Sequence, residues 1–106
     1  MRMSGSSQNV WLGKAFCELS PTREEYKLGL RGAVFVFVCL AADLKQCVSQ
    51  IVDESAENGL MLAGFEYLMR RDMMDREPSE YEEELIRRLK SYKTQFENVH
   101  FFKPDA

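Results

Sequence analysis

A chain of 106 residues with 45% hydrophobic and 29% charged side chains has the composition of one globular domain, which argues against a disordered chain or a coiled coil. Its formal net charge of −3 lacks the positive footprint that most nucleic-acid binders carry. Three cysteines, none in a CxxC pair, and one histidine spell no zinc site, so Cys17, Cys39 and Cys47 are read as reduced, mostly buried thiols of a cytoplasmic protein.

Residues 1–8 are small and polar and read as a flexible tail, without the apolar stretch of a secretory signal. No apolar run approaches the roughly 20 residues that span a bilayer, so no membrane association is expected. Residues 9–106 read as a single domain. Asn9 to Leu19 alternates as a strand, with Trp11, Ala15, Cys17 and Leu19 on one face and Val10, Leu12, Lys14, Phe16 and Glu18 on the other. The two charges on the second face suit a half-exposed or edge strand. Val10-Trp11-Leu12-Gly13 followed by Phe16 loosely resembles the first strand of some small bacterial immunity proteins, which bind and block a toxin from the same cell. That resemblance implies a bacterial source and covers under a tenth of the chain, and no residue roles are carried over from it.

Ser20 to Tyr26 breaks the strand, and Ser20 or Thr22 is placed to cap a short helical turn through Leu28. Residues 31–41 form the most informative segment. Ala33-Val34-Phe35-Val36-Phe37-Val38-Cys39-Leu40-Ala41 is apolar at every residue, so the strand presents no polar face and needs cover on both sides. Asp43 to Asn58 is a helix: Asp43 and Gln46 have capping-box spacing, Leu44, Cys47, Val48, Ile51, Val52 and Ser55 trace one stripe, and Asn58-Gly59 stops it. Leu60 to about Asp72 is a second nearly all-apolar strand. Strict alternation puts Leu60, Leu62, Gly64, Glu66 and Leu68 on one face and Met61, Ala63, Phe65, Tyr67 and Met69 on the other. The charged run from Arg70 to Pro78 reads as a loop or a protruding strand end.

Ser79 to Phe96 reads as the second helix. Ser79 and Glu82 form a capping box, Tyr81, Leu85, Leu89, Tyr92 and Phe96 make an apolar stripe, and acids precede bases in the order the helix dipole favours. Glu83–Arg87 and Glu84–Arg88 are i,i+4 pairs. Asn98 to Lys103 closes the chain as a short strand. The order β-β-α-β-α-β predicts an α+β two-layer sandwich with a mixed sheet of about four strands. If the strands flanking each helix are parallel, right-handed crossovers put both helices on one face. The other face then lacks cover.

Few residues point to chemistry. Glu66 is a carboxylate inside an apolar strand, suited to a paired position near Arg70 or Arg31, or to a polar anchor or general base in a pocket. His100 could act as a base but has no recognisable nucleophile beside it. Glu66 and His100 are the whole support for an enzyme, so no catalytic residue is assigned, and no motif calls for a cofactor or a metal. Arg87, Arg88, Lys90 and Lys93, extended by Arg70 and Arg71, suit a solvated, ion-paired face better than a phosphate-binding one. Met61, Met69, Met73 and Met74 add adaptable apolar surface near one strand.

The expected function is a non-catalytic protein-interaction module that self-associates, most simply as a homodimer, through an apolar sheet face. Candidate interface residues are Phe35 and Phe37 on one strand face and Met61, Phe65, Tyr67 and Met69 on another. A heterologous protein partner would bury the same kind of surface. The alternative is a small-molecule binder for an apolar or cationic ligand, with Glu66, Tyr67 and His100 at the site.

Overall fold

The computed structural model describes residues 9–89, 94–96 and 99–103. The order is β1 (Asn9–Leu19), α1 (Glu24–Lys27), β2 (Gly32–Ala41), α2 (Leu44–Glu57), β3 (Leu60–Arg70), a single 3₁₀ turn (Arg71–Met73), α3 (Glu80–Arg88), β4 (Thr94–Phe96) and β5 (His100–Phe102). The α+β class follows as expected, with one five-stranded sheet. Its path is β3-β1-β2-β4, and β5 pairs with the other end of β2. Every pairing is antiparallel, so the sheet is not mixed. β1 is central rather than at an edge, flanked by β2 and β3 along nearly its whole length.

The two long helices lie on opposite faces, not on one. Cys47 and Ile51 of α2 pack with Trp11, Ala15, Cys17, Ala33, Phe35, Phe37 and Cys39. Leu85 of α3, with Leu89 just past its end, packs with Leu12 and Val38, whose side chains leave the same two strands on the other side. The registers explain the split. β2 and β3 are both antiparallel to β1 and so run parallel to each other, and α2 is a crossover between parallel strands. β4 is antiparallel to β2 and hence to β3, so the crossover rule places no constraint on α3. The apolar run of β2 thus receives a helix on each side.

The second revision concerns β3. Consecutive residues Lys14 and Ala15 of β1 oppose Tyr67 and Phe65, and consecutive Phe16 and Cys17 oppose Gly64 and Leu62. Glu66 and Ala63 are therefore extra residues, each at a bulge. Each bulge resets the alternation, so Leu60, Leu62, Phe65 and Leu68 share the α2 face, with Met61, Gly64, Tyr67 and Met69 on the other.

Helix ends follow local chemistry. Asp43 Oδ1 accepts from the Gln46 amide at 2.8 Å, and the Gln46 side chain accepts from the Ala42 amide, one residue earlier than in a strict capping box. Gly59 follows α2 with φ of +72°, a conformation costly for residues with a Cβ. The Ser79–Glu82 box at α3 is complete. α3 ends at Arg88, well before the expected Phe96. Phe96 instead lies in β4, opposite Phe37 and stacked on Phe35 with centroids 4.5 Å apart, so it serves the α2 face. The expected stripe position Tyr92 lies outside the described residues. The first short helix starts later than expected, at Glu24, while Ser20 and Thr22 bond to each other at 2.8 Å. No helix among the described residues is long and apolar enough to cross a membrane.

Candidate functional site: the open half of the α3 face

Cross-strand rows show what α3 leaves uncovered. One row runs Met69, Leu12, Val38 and Gln95 from β3 to β4, and α3 sits over its centre. The next, Tyr67, Lys14 and Val36, lies at the helix margin. Beyond it come Gly64, Phe16, Val34 and His100, then Met61, Glu18, Gly32 and Phe102. No helix among the described residues covers these last two rows. Seven large apolar side chains are exposed among the described residues, and three of them, Phe16 (36%), Met61 (49%) and Phe102 (43%), gather here. The Phe102 ring closes on Gly32: a Cβ there would meet its Cζ at 2.3 Å, so glycine is what lets the ring approach the sheet.

The α2 face is closed by comparison. Phe35 and Phe37 are buried in it, and Phe65 packs against Phe37 with ring centroids 5.9 Å apart. Intramolecular packing thus occupies three of the six residues expected at an interface. Met61, Tyr67 and Met69 are on the other face, but only Met61 stands in the open rows. Phe16 and Phe102, outside the expected set, stand in the open rows, since strand alternation shows a face, not whether a helix covers it.

Glu66 is half exposed, and its bulge sets it 3.4 Å from Lys14 Nζ rather than beside Arg70 or Arg31. Arg70 pairs with Asp72 at 2.8 Å and Arg31 stacks on Tyr26. Tyr67 donates its hydroxyl to Glu82 at 3.0 Å, and Arg76 clamps both Glu82 oxygens at 2.9 and 3.0 Å. Glu82 is only 2% exposed, and Arg76 with the cap hydrogen bonds holds its carboxyl down at about 2 despite burial. Burial and the Glu82 carboxylate push Tyr67 up to about 12. Tyr67 therefore ties β3 to α3 through its hydroxyl. Glu66, Tyr67 and His100 do not converge: His100 is across β2 from Phe16, and both β2 and β1 stand between it and β3.

A cleft of about 320 Å³ opens between α3 and β5, lined by Lys14, Val34, Phe35, Val36, Tyr81 and His100. Of the basic set, Arg71 pairs with Glu83 at 3.5 Å, and Arg87 and Arg88 both pair with Glu84, which matches an ion-paired surface; Lys90 and Lys93 lie outside the described residues. Cys17, Cys39 and Cys47 are buried free thiols, and burial raises the Cys17 thiol further from its reactive form. No group of three or more metal-ligating side chains among the described residues could hold a metal ion. No protein-family model matches this chain, and no curated protein or solved structure matches it either.

Proposed function

We propose that this protein is a non-catalytic interaction module that self-associates through the open half of its α3 face. The observation that carries this reading is the concentration of Phe16, Met61 and Phe102 on the rows no helix covers, opposite a face that is closed throughout. Contiguous apolar surface of this kind marks a contact site more often than a monomer's outer skin. Charge favours a second copy as the occupant. Lys14 borders the patch together with Glu18 and Glu66, so the surface carries both signs and no strong single-sign field. A strongly basic or acidic partner finds no complementary field there.

The test is light scattering across a concentration series. The expected result is a rise from the 12.3 kDa chain mass to twice that value. Phe16→Glu should abolish the rise while leaving the monomer folded, because Phe16 is already 36% exposed and lies outside the buried core. A wild-type chain that stays monomeric at every concentration overturns the reading, as does a dimer indifferent to Phe16→Glu. Phe65→Glu is not a usable probe, since it places a charge beneath α2.

A further inference from the structure

The cleft between α3 and β5 shares Val34 and His100 with the open rows, but its lining comes from one chain alone, so the inference does not rest on the self-association reading. Its volume is at the small end of the range for ligand sites. Val34 and Val36 form its floor, and Tyr81 of α3 forms one wall. Phe35 contributes from β2, though its ring is buried on the opposite face. The nitrogen-bearing groups at the margin are Lys14 and His100.

The two nearest acids are both paired, and neither lines the cleft. Glu66 reaches Lys14 Nζ at 3.4 Å from its bulge, so a ligand carboxylate would share that ammonium with it, and Glu82 is taken by Arg76, Tyr67 and the Ser79 amide. No carboxylate lines the cleft among the described residues. An apolar floor with N–H donors at the rim and no lining acid is the reverse of a cation site. From these features we infer that the cleft binds a small apolar monocarboxylate. The hydrocarbon body lies on Val34 and Val36, and the carboxylate takes a charge-assisted hydrogen bond from Lys14 Nζ and a second hydrogen bond from the His100 imidazole. A cationic ligand, by contrast, would face Lys14 across the same floor.

The experiment is a titration of isotopically labelled full-length protein followed by amide chemical shifts. The probes are octanoate and 1-naphthoate, with octanol and octylamine as matched controls. Both acids, or one of them, should shift Val34, Val36, Tyr81 and His100. Octanoate or naphthoate should bind about tenfold more tightly than the controls, as one charge-assisted hydrogen bond would give. Lys14→Met should remove that preference, with other spectral changes confined to the neighbourhood of Glu66, which loses its ion partner, and His100→Gln should weaken it; neither residue belongs to the buried core. Equal or tighter binding of octylamine overturns the inference. So do shifts that map to another surface, a preference that survives Lys14→Met, or no shift with either acid.

Discussion

The two faces of this sheet are built from the same strands and reach different ends. On the α2 side, Trp11, Ala15, Cys17, Ala33, Phe35, Phe37 and Cys39 are all buried, and a four-turn helix with aromatic neighbours from β3 and β4 closes the layer. On the α3 side, a nine-residue helix closes only the half around Leu12 and Val38. The difference teaches that helix length, more than strand composition, decides which apolar residues become core: Phe37 and Phe16 sit in adjacent strands, one wholly buried and one a third exposed.

That contrast can be broken by mutation. Phe37→Ala should cost about 3–5 kcal/mol, because it opens a cavity in a layer with no slack, whereas Phe16→Ala should cost under about 1 kcal/mol. Urea denaturation of both variants decides it, and similar losses would mean the faces are equally closed. Glu82→Gln comes next, since it weakens the link that seats α3. At neutral pH it should cost about 1–3 kcal/mol, as for a buried, charge-assisted hydrogen-bond group. Its sign with pH is set by the depressed carboxyl. Glu82 contributes fully above 4.5, its ordinary value, and the contribution fades as pH falls toward about 2. The gap between wild type and Glu82→Gln should therefore close on acidification, and a gap constant from pH 7 to pH 2 would deny the carboxylate its role. The smallest effect is expected at Ser55, whose buried hydroxyl lacks a good hydrogen-bond partner among the described residues and faces the weakly bonding Cys17 thiol. Ser55→Ala should be neutral or stabilising by up to about 1 kcal/mol, because no good bond is lost and alanine favours the helix. A clear loss of stability would reveal a partner for that hydroxyl.

Elements with strong local signals were legible in the chain. β1 and α2 fall within a residue of their expected bounds, and both caps use the residues that their spacing indicates. The candidate site was legible only in outline. A doubly apolar strand announces surplus apolar surface, but Phe16 and Phe102 become its exposed part only through what α3 fails to reach.

The sequence by itself determined the α+β class, the order of its main elements and the demand of β2 for cover on both faces, because periodicity, caps and apolar runs act between near neighbours. The tertiary structure decided the rest. It placed α3 opposite α2, since β3 and β4 run antiparallel and escape the crossover rule. It bulged β3 at Ala63 and Glu66, turning Phe65 inward and leaving Glu66 beside Lys14. It ended α3 at Arg88 and drew Phe96 onto Phe35, where stacking in the α2 layer replaces about two more turns of an apolar stripe. Each of these depends on pairing between segments far apart in the chain, which local pattern does not encode.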